Sequence, residues 1–326
     1  MVGVLVIELG FVFSYVGGLG HPYPHGLPIA IVGPASEQKL VIDKIHAAGG
    51  QFDPIPSPSV AAAVAAIHDH KVDAAFVIGA DNDHVIVAQA PSPAVSTAVL
   101  ATVRQLEAQV HRTFTVTTIV PLTRNDPEGL APFYVVIGWV VGGYLVASLL
   151  ALARGTEPSL RWVLVRLGAL AAFSVLSGIL GSVLVGPAMH LIPGDIWALA
   201  LIGTLVVFAT STVTTAFQIV FGELGIALAI VVFVVAGNPS AGGPYPRELL
   251  NGVWRAIGPY LPNGAGLDAV RNIGYFGSAD LASSIWVLLV YSAVGVGAVL
   301  AGTWWRVERE RRHPGSGEPT PLGATA

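Results

Sequence analysis

The chain has no cysteine. Disulfide staples, thiolate metal sites and cysteine nucleophiles are therefore excluded. Charge is the next scarcity: Asp, Glu, Lys and Arg make up 11% of the 326 residues, against about 25% in a soluble globular chain. Lysine occurs only at Lys39, Lys44 and Lys71, ahead of the long hydrophobic half. No GxxxxGK[ST] run occurs, so the chain has no phosphate-cradling loop of its own. No Ser-His-Asp set sits around a nucleophile elbow. A formal net charge of −4 leaves no basic footprint for nucleic acid. No catalytic residue, cofactor or metal is expected, and the chain does not read as an enzyme. What is abundant is apolar: 53% hydrophobic residues and a mean hydropathy of +0.70. These mark an integral membrane protein.

Residues 2–19 are apolar except for Glu8 and just long enough to cross a bilayer. No basic n-region precedes them and the cleavage site is poor. They read as a retained helix (residues 1–20) rather than a signal peptide, with Glu8 turned toward other helices. Residues 21–129 have the composition of a soluble domain. Strands are expected at 28–33, 52–56, 74–78, 85–88 and 114–122. Helices are expected at 36–48, with Leu40, Val41 and Ile45 facing in, at 59–70 behind a Ser59 cap, and at 92–110, with Val95, Val99, Val103, Leu106 and Val110 on one face. The order βαβαββαβ describes a small α/β sandwich.

Residues 130–305 read as five further spans with a broken loop inside them. Residues 130–153 and 167–189 carry no charge, and 196–237 is apolar apart from Glu223. That last run is too long for one crossing and should turn between 215 and 225. Residues 283–305 form the final span, and 306–326 read as a disordered tail. Six spans put both ends on one side. Arg154, Arg161 and Arg166, with Arg306, Arg309, Arg311 and Arg312, make that side the cytoplasm of a plasma or inner membrane. The α/β domain is then extracytoplasmic.

Several features have bland readings. The histidines lack metal-site spacing and read as solvated side chains. Asp81-Asn82-Asp83 opens like a calcium loop but lacks the later Gly and Glu, and reads as a turn. Ser174, Ser177, Ser182, Thr210, Ser211, Thr212, Thr214 and Thr215, and the pairs Gly138/Gly142 and Gly178/Ser182, read as helix-packing devices. Glu223 reads as a solvated carboxylate in a cytoplasmic turn.

The stretch 237–277 organises the chain. Asn238-Pro239 and Gly242-Gly243-Pro244 break the incoming helix. A short helix is expected over 247–257, with Leu250, Val253, Trp254 and Ile257 on one face. Pro259, Pro262 and Gly264 should end it, and a second should cover 267–273. Such backbone is tolerated at a membrane only where protein or a wet cavity surrounds it, so 238–277 reads as a re-entrant loop. Trp254, Pro259, Tyr260, Pro262, Gly264, Asp268 and Arg271 are the expected outer gate. Trp254 and Tyr260 would lie at the interface, and Asp268 and Arg271 would pair at i, i+3.

Three blocks carry a resemblance: Phe133-Tyr134-Val135 through Gly142-Gly143-Tyr144, Gly237-Asn238-Pro239-Ser240 with Gly242-Gly243, and Trp254-Arg255 through Asn263-Gly264-Ala265-Gly266. With Ser14-Tyr15-Val16 and Pro24-His25-Gly26, they resemble actinobacterial membrane proteins of the ABC type-2 transporter permease superfamily, nearest its phage-infection-protein-like branch. The resemblance implies one helix, an outside domain and five helices. It also implies a homodimer or heterodimer that pairs with a separate cytoplasmic ATPase and exports a lipid-like or drug-like substrate. The chain departs from the pattern in lacking a basic lead-in to its first helix. The alternative is a membrane-anchored surface protein whose outside domain binds an envelope component or partner.

Overall fold

The computed structural model describes residues 2–47, 49–90, 92–110, 112–154 and 159–312. The side chains of Val110 and Arg154 and the tail residues 313–326, named above, lie outside the described residues. An apolar helix α1 (Val2–Leu19) leads into an α/β unit. Its elements are β1 (Leu27–Val32), α2 (Ala35–Ala47), β2 (Phe52–Ser57), α3 (Val60–His68), β3 (Ala74–Val77), β4 (Asn82–Ala88), α4 (Pro93–Val110) and β5 (Thr113–Ile119). The sheet order is β2-β1-β3-β4-β5, parallel except at β3–β4. Alternation along the strands splits the core in two. Leu27, Ile29, Ile31, Val85 and Val87 pack under α2 and α4, and Ala30, Ala75 and Ile86 pack against Ala63 and Ile67 of α3. Ser59 caps α3, its Oγ accepting from the Ala62 N–H at 3.1 Å. Of Asp81-Asn82-Asp83, expected as a turn, only Asp81 lies in the β3–β4 connection; Asn82 and Asp83 already belong to β4, paired with Thr113 and Phe114. Asp83 is clamped by Arg112 at 2.8 Å, and Arg112 also donates to Gly79 O at 2.6 Å.

The bundle comprises α5 (Ala131–Arg154), α6 (Leu160–Val183), α7 (Ile196–Phe221), α8 (Leu224–Ile230), α9 (Gly237–Ser240), α10 (Gly252–Ile257), α11 (Pro262–Tyr275) and α12 (Leu281–Arg312). Four helices are long and apolar enough to cross a membrane: Ala131–Ala153, Leu160–Ala188, Ile196–Phe221 and Leu281–Arg309. Two shorter apolar helices, Gly3–Leu19 and Leu224–Ser240, accompany them. α7 is the central one, with 61% of its apolar window buried. Its hydroxyls fold back on their own helix, as when Thr214 donates to Thr210 O at 2.7 Å. The helices close on glycine: a Cβ at Gly178 would lie 2.5 Å from Ala200 O, and one at Gly295 would lie 2.5 Å from Thr212 Oγ1.

Some boundaries differ from expectation. The second long span begins at Leu160, so Arg161 and Arg166 are helical. It ends in a π turn, Leu184–Ala188, that absorbs Pro187, whose ring nitrogen cannot donate. The long apolar run turns at Gly222 (φ +62°) and Glu223. The last helix runs on to Arg312, so the tail boundary expected after Trp305 lies further along. Gly138 meets open space and Gly143 is the residue at the α7 contact, where a Cβ would lie 2.9 Å from Val207 O.

Candidate functional site

The organising stretch is confirmed as broken backbone but cut differently from the expectation. Arg247–Leu249 is a 3-10 turn, Leu250 is extended and buried, and α10 is a single short helix. Val253, expected on the inner face, is 67% exposed. Pro262 and Gly264 do not end a helix. They begin α11, because proline at the first helical position forfeits only an N–H that would lack an intrahelical partner. Eleven of the fourteen residues of α11 are buried. At about 1.5 Å per residue it spans roughly 21 Å, short of a crossing. Gly266 lets it approach the long helices: a Cβ there would lie 2.8 Å from Val206 and 3.2 Å from Val136.

Two sets of polar contacts hold α11. Its first turn is tied to the interrupted helix α8–α9, whose middle, Val231–Ala236, is a π segment. Asn263 Nδ2 donates to Phe233 O at 2.9 Å and to Asn238 Oδ1 at 2.8 Å. Asn238 Nδ2 donates in turn to Tyr15 Oη of α1 at 3.0 Å, and Ser14 donates to Val235 O. Carbonyls in the π stretch thus take side-chain donors from α1 and α11. The far half of α11 meets the α/β unit. His70 Nδ1 bonds Asn272 Oδ1 at 2.8 Å, and its ring stacks on Phe276 at 4.2 Å. Burial lowers the His70 pKa, against the raising effect of its bond to Asn272.

Around this contact lies a seam of charged groups. Asp73, at the start of β3, is buried. Burial first, then Glu248, pushes its carboxyl up to about 8. Burial also raises Asp268 to about 6, against the pull of Arg247 and Arg271. The expected Asp268–Arg271 pair does not form. Arg271 spends its donors on two carbonyls, Gly242 O at 2.8 Å and Gly243 O at 2.7 Å. Those carbonyls converge because Gly242 sits at φ +82°. Asp268 pairs instead with Arg247 at 3.0 Å. The same stretch grips the domain elsewhere. Tyr23 N and His25 N donate to Leu249 O and Glu248 O, and Ser92 Oγ donates to Pro244 O at 3.2 Å.

The other gate residues scatter. Trp254 is half-buried and packs over Gly17 and Gly18 of α1, where a Cβ on Gly18 would lie 3.3 Å from its Cδ1. Tyr260 is 70% exposed, and Pro259 lies in a 3-10 turn, Gly258–Tyr260. Glu8 is exposed, because α1 packs through Ser14 and Gly18 on another face. Glu223 is exposed in the α7–α8 turn. Sequence reasoning missed His70, Asp73, Glu248 and Asn272. It also missed a second buried network at the opposite end of the bundle, where Arg166 donates to Gln218 Oε1 at 2.6 Å and Ala147 O at 2.7 Å. The available signal was weak: a lone His-Lys-Val-Asp before an apolar strand. Among the described residues no cluster of His, Asp and Glu could hold a metal ion. No protein-family model matches the chain, and comparisons with curated proteins and with solved structures return no match.

Proposed function

We propose that the chain is the permease subunit of an exporter of the ABC type, moving a lipid-like or drug-like substrate outward with a separate ATPase supplying the energy. The observation that carries this reading is α11. It is a buried half-length helix that joins a π-interrupted apolar helix to the α/β unit, so a shift in either reaches the other. Discontinuous helices at the mouth of a bundle suit a moving gate better than a passive anchor. In this proposal α1 and α8–α9 cross the membrane with the four long helices. The end bearing Arg161, Arg166 and Arg306 to Arg312 is cytoplasmic, and the α/β unit is outside. The gate is Asp268 with Arg247, and Arg271 with Gly242 and Gly243, in place of the Asp268–Arg271 latch. The test is purification from native membranes in mild detergent, with and without ATP. A P-loop ATPase recovered in fixed ratio supports the reading, and its absence from crosslinked as well as uncrosslinked preparations sinks it. One observation favours the alternative, a membrane-anchored binding protein: the α/β unit carries a large, mainly apolar cleft that is partly open to solvent.

A further inference from the structure

The cavity lies between α2 and α4 over one face of the sheet and has a volume of about 430 Å³. It is a cleft partly open to solvent along Leu40, Lys44 and Leu106, and its volume falls in the range of ligand pockets, which begin at about 300 Å³. Its origin is legible in the residues. Leu40, Val41 and Ile45 line it from α2, yet α2 has no buried residue, and Leu40 is 56% exposed. Leu106 of α4 lines the opposite wall and is 43% exposed. The helices stand apart instead of closing on each other. β3 puts Ala74 on the floor, where a larger side chain would fill the space.

The wall between α2 and α4 is chiefly apolar, and its inner polar groups are engaged. Thr102 Oγ1 is satisfied by Ala98 O at 3.1 Å, and Asp83 is held by Arg112. A cleft lined chiefly by apolar side chains favours an apolar occupant. Charge enters at the ends. Glu37 lies at the start of α2. Lys44 lies in its last turn, beside Gly49 and Gln51. Lys39 on the same helix is paired with Asp43 at 2.8 Å, whereas Lys44 is exposed and has no ion-pair partner among the described residues. The Lys44 end belongs to the sheet edge from which β1 and β3 start. That is also the edge that meets α11 and the bundle.

We infer that this cavity binds the apolar chain of a single-tailed amphiphile with an anionic head, the chain lying between α2 and α4 and the head meeting Lys44. The site rests on neither reading of the whole protein and needs no ATPase.

The experiment uses the full chain in nanodiscs of neutral lipid, photolabelled with a long-chain fatty acid that carries a mid-chain diazirine. Adducts are expected in peptides covering 40–45 and 99–106, competed by unlabelled fatty acid. Thr102→Trp and, from the other wall, Val41→Trp should each lower that labelling about tenfold. Adducts on the bundle helices should stay constant and report an intact fold. Lys44→Glu should weaken labelling by the acid several-fold and leave labelling by the matching diazirine alcohol unchanged. Adducts confined to the bundle, or labelling that survives both tryptophan variants, overturn the site. Equal effects of Lys44→Glu on acid and alcohol overturn the anionic head.

Discussion

Arg271 and Asp268 sit one helical turn apart and do different work. Arg271 is buried and satisfies the carbonyls of Gly242 and Gly243. Arg271→Met therefore leaves two buried acceptors unpaired, each worth about 1–3 kcal/mol. A clear loss of melting temperature in detergent is the expected result. Asp268 keeps 22% side-chain exposure in its pair with Arg247. Asp268→Asn should cost less than Arg271→Met, because the burial that raises the carboxyl offsets part of what its pair with Arg247 gains. A double-mutant cycle should find coupling between Asp268 and Arg247 rather than between Asp268 and Arg271. Asp73 yields a pH prediction. Its carboxyl moves from an ordinary 3.8 to about 8 on folding. Between those values the folded chain holds a proton that the unfolded chain releases, so stability falls as pH rises through that window. Asp73→Asn removes the ionisation. The variant should flatten the melting profile between pH 4 and pH 8 and gain on wild type toward the alkaline end. A wild-type curve that does not fall relative to that of Asp73→Asn across the window would contradict the burial of this carboxyl.

At the scale of elements, the glycines separate contact from coincidence. Gly178 touches α7, and a Cβ there would lie 2.5 Å from both Ala200 O and Thr204 Oγ1. Gly138 faces open space on α5. Gly178→Val should therefore destabilise the bundle by about 1–3 kcal/mol through overpacking. Gly138→Val should stay within about 0.5 kcal/mol. Thermal melts of both variants check the contrast, and equal losses would refute the α6–α7 contact. This contrast also marks what was legible beforehand. The α/β order, the Ser59 cap and the turn before Leu224 followed from periodicity and capping, which act over a few residues. The division of α11 did not, because Pro262 and Gly264 break helices in general and start one only where the preceding turn delivers the chain at the right angle. Nor did the partner of Asp268. Spacing proposed Arg271, but tertiary packing gave that guanidinium two carbonyls and brought Arg247 from across the loop. The cavity was illegible for the same reason: Leu40 and Leu106 fit the inward faces, and nothing local says that the two helices stand apart.

The whole molecule carries a parity argument. α5, α6, α7 and α12 are each long enough to cross. If α8–α9 does not cross, α12 starts on the side where α7 ended, and Arg312 emerges on the side of the α/β unit. If α8–α9 does cross, Glu223 and Arg312 share one side, while Asn82 in the sheet and Ala256 on α10 share the other. Length alone leaves the choice open. The apolar stretch Leu224–Ser240 covers about 26 Å at 1.5 Å per residue, somewhat less than a typical hydrocarbon core. Packing favours the crossing, because the π stretch is tied to α1 through Ser14 and to α11 through Asn263. The chain has no cysteine of its own, so single substitutions report cleanly. Asn82→Cys and Ala256→Cys should be labelled in whole cells by an impermeant maleimide. Glu223→Cys, Arg312→Cys and Ser316→Cys should react only after permeabilisation. Arg312→Cys reacting from outside with Glu223→Cys protected would show that α8–α9 turns back, and the six-crossing proposal would fall. Asn82→Cys protected with Arg312→Cys labelled would invert the molecule, leaving its arginine-rich end outside against the charge asymmetry.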